Sequence, residues 1–215
     1  MKDIIKKITA NHDPESIFLY GSKARGDSLA HSDTEIGVIT KNNSHPFYNG
    51  VFFFDYKDFK SGKIDTPFPL DTYLRELSLS AKTIYGKKIV ENFTPPPITT
   101  ISLLERINFD CATALYGAKL KQEDLFYKSI LFGVRNLIIL KTKKFPLKYK
   151  EIQEEAERLN LGKFDYLPQK AYLTRIGDAE PSSDDYKKAI GFTNKFLREK
   201  IKDQKDKIIL EWNTL

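Results

Sequence analysis

An apolar run that halts at a Gly-Ser pair, followed one loop later by two carboxylates set two residues apart, constrains this chain more than any other feature. Residues 18–40 read FLYGSKARGDSLAHSDTEIGVIT. Ile17 to Tyr20 is short, apolar and stopped by Gly21, the pattern of a buried strand feeding a tight turn. The chain turns through Gly21-Ser22-Lys23-Ala24-Arg25-Gly26. It re-emerges as Ser32 to Ile39, polar at first and then apolar, as a second strand would. Asp33 and Glu35 are two residues apart, and on a strand such side chains leave the same face.

Two carboxylates aimed at one point repel each other unless a divalent cation or a shared proton neutralises them. Mg²⁺ suits the arrangement, because it takes one or two protein carboxylates and completes its shell with water and substrate phosphates. The Gly-Ser turn supplies the complementary half. Gly21 lets backbone approach a phosphate closely, the Ser22 hydroxyl and neighbouring N–H groups donate to its oxygens, and Lys23 and Arg25 bring positive charge.

These residues resemble the nucleotidyltransferase superfamily that includes polymerase beta, kanamycin nucleotidyltransferase and the minimal nucleotidyltransferases. The likeness rests on Tyr20-Gly21-Ser22, a ten-residue spacer and Asp33-Thr34-Glu35-Ile36, and is specific over residues 17–40. The pattern departs at Thr34, usually apolar, and at Glu35, where Asp is commoner. The resemblance implies transfer of a nucleoside monophosphate from a nucleoside triphosphate, ATP first among them, to a hydroxyl, with pyrophosphate leaving. It further implies Mg²⁺ held by Asp33, Glu35 and a third carboxylate that also activates the acceptor. Asp65, in GKIDTPF, is the first candidate because a helical stretch, PLDTYLRELSLSAKTIYG, follows it; Lys63 to Asp65 reads as a short strand ended by Pro67. Asp55, ending the β-prone run Val51 to Tyr56, is the second.

Pro95-Pro96-Pro97 would stop any helix or central strand, and the character of the sequence changes there. Residues 1–97 are expected to form the catalytic domain and 98–215 a helical domain that binds substrate or partner. Past the prolines helical periodicity dominates. Ser102 and Glu105 resemble a capping box ahead of Leu103, Leu104, Ile107, Ala114 and Leu115. Leu125 to Leu140 is apolar nearly throughout and should be a central helix, and Tyr149 to Leu159 a charged surface helix. Ser182 to Asp185 should cap a long last helix carrying Tyr186, Ile190, Leu197 and Ile201. The fold class is therefore α+β: a nucleotidyltransferase-type mixed sheet flanked by helices, then a helical bundle. The amphipathic start, with Ile4, Ile5 and Ile8, reads as a helix covering the sheet.

One cysteine, Cys111, excludes an intramolecular disulfide and reads as buried packing. No apolar run reaches membrane-spanning length, and a cytoplasmic location is expected. The net charge of +6 is uneven, with 13 basic and 12 acidic groups in residues 1–97 against 22 and 17 thereafter. That balance suits RNA or an anionic metabolite better than a polycation. Aminoglycoside adenylylation is the rival enzyme reading and requires acids such as Glu105, Glu123 or Glu151 around the acceptor. A nucleotide-binding or antitoxin-like protein acting on a partner is the non-enzymatic alternative, and a homodimer is compatible with either. Arg135-Asn136 lacks the nearby histidine of ribonuclease-like helical domains, so Arg135 reads as structural or as a pocket cation. Phe52, Phe53, Phe54 and Phe59 read as core. Arg25-Gly26-Asp27 spells an adhesion tripeptide without any extracellular context.

Overall fold

In the computed structural model, residues 1–30, 32–41, 46–66 and 68–192 are described. The chain divides into two compact units, Met1–Ser102 and Leu103–Leu215.

The first unit opens with α1 (Lys2–His12), β1 (Ser16–Tyr20), a single-turn helix α2 (Gly21–Arg25) and β2 (Glu35–Thr40). It continues with β3 (Val51–Asp55), α3 (Tyr56–Ser61), α4 (Leu70–Ser80) and β4 (Lys82–Gly86). The strands form one mixed sheet in the order β3-β2-β1-β4, with β1 antiparallel to β2 and β4, and β2 parallel to β3. Strand alternation divides the apolar side chains between two layers. Ile17, Ile36, Val38 and Val51 join Ile8 of α1 in one cluster, with Ile4 and Ile5 against it, so the amphipathic first helix does cover the sheet. Phe18, Tyr20, Ile39 and Phe54 turn the other way and pack with Phe59, Ile64, Leu74 and Leu77. Gly37 belongs in that layer for a steric reason: a Cβ there would lie 2.1 Å from Cζ of Phe18, whose ring crosses the glycine.

Two local expectations fail in this unit. Lys63 to Asp65 is not a strand but irregular chain leading into α4. The stretch from Leu70 to Gly86 is not one helix, for it stops at Ser80 and its last residues pair with β1 as β4. β-branched and aromatic residues at Thr83, Ile84 and Tyr85 suit an edge strand better than a helix end.

The helix α5 (Thr100–Leu120) begins in the first unit and runs into the second, which continues with α6 (Glu123–Thr142), α7 (Tyr149–Ala156), α8 (Tyr166–Ile176) and α9 (Ser183–Gly191), with 3₁₀ turns at Glu157–Leu159 and Gly162–Phe164. As expected, α6 is central: Ile130, Leu131, Val134, Leu137 and Ile138 are all buried, and α7 and α8 pack on it. Cys111 is buried in the same core and is in no disulfide. The start of α5 is capped by Thr99 and not by Ser102, since Thr99 Oγ1 accepts the Ser102 N–H at 3.1 Å. The Thr99 N–H is in turn held by Asp71 at 2.8 Å. Tyr149, Ile152 and Ala156 make α7 half-buried. The helix α8 escaped the sequence reading because its apolar, tyrosine and threonine positions show little periodicity. Ser182 Oγ accepts the Asp184 N–H and begins α9, and Asp185 is buried, accepting the Tyr127 hydroxyl at 2.9 Å. Ile190 is 46% exposed, off the core face; Leu197 and Ile201 lie outside the described residues.

Arg135 is buried. Its guanidinium lies over Phe132 at 4.6 Å and Phe145 at 5.5 Å from the ring centroids, in a buried group with Asp110, Arg106 and Asn136. Asn136 donates to Asp110 at 2.9 Å. Burial pushes the Asp110 carboxyl up to about 6, against the opposing pull of Arg106, Arg135 and Asn136.

Candidate active site

The register of β1 and β2 sets the site. Tyr20, the last residue of β1, pairs with Glu35, the first of β2, so the chain leaving β1 and the chain entering β2 meet at one end of the sheet. Gly21 begins α2 with φ +70°, and a Cβ there would lie 1.7 Å from Oε2 of Glu35. The Glu35 carboxylate thus fills the space that only glycine leaves open, and glycine alone adopts that backbone without strain. The Lys23 ammonium bonds Thr34 Oγ1, tying the far side of the turn to the segment between the two acids. Asp33, just ahead of β2, is exposed; Ser22 and Glu35 are half-buried. The i, i+2 strand argument therefore holds only from Glu35 onward, and Asp33 belongs to the loop entering β2.

The expected GSKARG turn is one helical turn, closed by Gly26 in the left-handed region, with the Gly26 and Asp27 N–H groups both donating to the Ser22 carbonyl. Arg25 sits beneath it, 8% exposed. Its Nε bonds Asp27 at 3.2 Å and its Nη1 bonds Glu76 of α4 at 3.1 Å. The Arg25-Gly26-Asp27 tripeptide is thus a local clip around a helix end, and of the two cations in the turn Lys23 is the one at the surface. Glu76, which sequence reading passed over, pins the turn to α4; its only signal was its place on the inner side of an amphipathic helix. Tyr20 shares this neighbourhood: burial, followed by the influence of Tyr73, Glu35 and Glu76, pushes its phenol far above the ordinary range.

Asp65 is exposed on the irregular chain ahead of α4. Asp55 has a local occupation, since it caps α3 by accepting the Lys57 and Asp58 N–H groups at 2.7 and 3.1 Å. Among the described residues no three His, Cys, Asp or Glu side chains gather at metal-ligating spacing. Asp33, exposed, and Glu35, seated on Gly21, are hard oxygen donors two residues apart, residues of the kind that could hold Mg²⁺ sharing its shell with phosphate oxygens. Of the acids considered around an acceptor, Glu105 and Glu123 are exposed and Glu151 is engaged in capping α7 through the Leu147 and Lys148 N–H groups. His31 and His45 lie outside the described residues, and His12 bonds the Tyr48 hydroxyl.

Phe52 corrects the sequence reading. Phe54 and Phe59 are core residues, but Phe52 is 51% exposed. It pairs with Gly37, which pairs with Phe18, so it stands on the same sheet face as Glu35, and its ring lies 6.1 Å from that of Tyr20. Among the described residues no helix is long and apolar enough to cross a membrane.

No protein-family model matches the chain, and no curated protein matches it by sequence. Its fold does match a solved structure, that of spectinomycin adenyltransferase AAD(9) from Enterococcus faecialis with ATP and spectinomycin. The identity is 16%, the TM-score 0.61, and the match covers 92% of this chain and 96% of that one. The chain therefore has the fold of that adenyltransferase, a mixed sheet flanked and extended by helices.

Proposed function

We propose that this protein is a nucleotidyltransferase that moves a nucleoside monophosphate from a nucleoside triphosphate, ATP being the donor, to a hydroxyl of its acceptor. The observation that carries the reading is the Glu35 carboxylate seated against Gly21, beside Asp33 and the Lys23–Thr34 contact. An ordinary strand-to-strand loop has no need of that glycine, whereas a triphosphate site needs acid pair and turn within one ligand's reach. The fold it shares with an adenyltransferase solved with ATP supports the same reaction class.

Each residue has a task. The Ser22 hydroxyl and the Lys23 ammonium bind triphosphate oxygens, and Arg25 holds the turn rigid from below. Asp33 and Glu35 would hold Mg²⁺, which would supply positive charge to offset that of the triphosphate. Asp65, on its exposed approach, accepts the proton of the attacking hydroxyl. The new bond joins the acceptor oxygen to the α-phosphorus; the bond from that phosphorus to the bridging oxygen breaks, and pyrophosphate leaves with the electron pair. Positioning and charge do the work, and no side chain is covalently modified.

The test is calorimetric titration of ATP, CTP, GTP and UTP with and without Mg²⁺, on the native protein and on Asp33→Ala. Magnesium-dependent binding lost in the variant sustains the reading, and an acceptor screen that includes spectinomycin follows. Absence of binding by every nucleotide refutes it.

A further inference from the structure

The strand order gives the site two sides. The acid pair belongs to β2, the phosphate-binding turn leaves β1 on one flank, and β3 lies on the other. In the proposed transfer reaction, on which this inference rests, attacking and leaving oxygens stand roughly in line across the phosphorus. Pyrophosphate departs on the side of Ser22 and Lys23, so the acceptor arrives from the β3 side. What β3 presents there is Phe52, on the Glu35 face, in register with Gly37 and 51% exposed. The neighbouring residues of that face are closed over, Phe18 at 0% and Phe54 at 7% exposure. Tyr20 meets the edge of the Phe52 ring at 68° and fixes its orientation.

We propose that Phe52 is an acceptor platform, on which a flat ring carried beside the acceptor's hydroxyl stacks, so that the acceptor is of the nucleoside kind and not an open-chain alcohol. An exposed aromatic ring stacks with any flat ring, and removing one such platform weakens binding about tenfold or more. The stacked ring fixes the direction from which its own hydroxyl reaches the α-phosphorus.

The experiment follows transfer of labelled AMP from Mg·ATP to adenosine and cytidine, which carry a flat ring, and to glycerol and spectinomycin, which do not. Native protein, Phe52→Ala and Phe52→Trp are compared, with Mg·ATP affinity and unfolding midpoint measured for each. The expected result is transfer to a nucleoside, with KM raised about tenfold in Phe52→Ala and retained in Phe52→Trp, while kcat, ATP affinity and midpoint hold. Preference for glycerol or spectinomycin overturns the proposal, as does a nucleoside KM indifferent to Phe52→Ala, or ATP binding with no transfer to either nucleoside. Failure of the native protein to bind Mg·ATP at all is the separate result that overturns the transfer reaction and this inference with it.

Discussion

Gly21→Ala isolates the contact on which the site depends. At φ +70° an alanine carries a backbone penalty of roughly 1–2 kcal/mol. Its Cβ would also lie 1.7 Å from Oε2 and 2.9 Å from Cδ of Glu35, so the carboxylate must retreat by about 1.7 Å to reach ordinary contact at 3.4 Å. The clash is with the end of a flexible side chain, so the fold loses little beyond the backbone term. At roughly 4–8 °C per kcal/mol for a unit of about 100 residues, the midpoint falls by about ten degrees. The site loses far more, because displacing a positioned group by about 1 Å costs roughly 100-fold, equivalent to about 2.7 kcal/mol. Calorimetry of Mg·ATP beside thermal unfolding reads both quantities. Native-like nucleotide affinity in Gly21→Ala refutes the steric reasoning.

Asp33→Ala and Glu35→Ala each remove a proposed metal ligand and not core volume, so magnesium-dependent nucleotide binding should vanish while the midpoint moves by a few degrees at most; turnover persisting in both refutes the assignment. Arg25→Gln leaves Asp27 and Glu76, 11% and 19% exposed at their side chains, without their shared cation, and should cost about 3 kcal/mol in urea unfolding, with Glu76→Gln milder. A loss below about 1 kcal/mol would show that the clip does not hold α2. Asp110 gives a pH signature: its folded carboxyl is pushed up to about 6 from 3.8, so the folded state binds the proton more tightly. That contribution is fully present below about 3.8 and is lost as pH rises through about 6. Measured from pH 3.5 to 7, native stability should fall relative to Asp110→Asn by about 3 kcal/mol. Parallel profiles for the two proteins would refute it.

The sequence by itself determined what depends on near neighbours. An apolar run halted by glycine made β1, a β-prone aromatic run made β3, helical apolar spacing made α5 and a nearly continuous apolar stretch made α6, because such preferences act locally. The acid pair and its turn were legible for the same reason, being one short segment. Tertiary structure decided what depends on distant partners. Position 83 lies in a strand because β1 offers an open edge, and Asp55 is a cap because a helix starts beside it. Arg25 turns inward because Glu76, 51 positions on, meets it there. Phe52 stays uncovered while Phe54 does not, for the helices over that face reach one ring and not the other. Periodicity records which side a residue faces; only the assembled layers determine what, if anything, covers it.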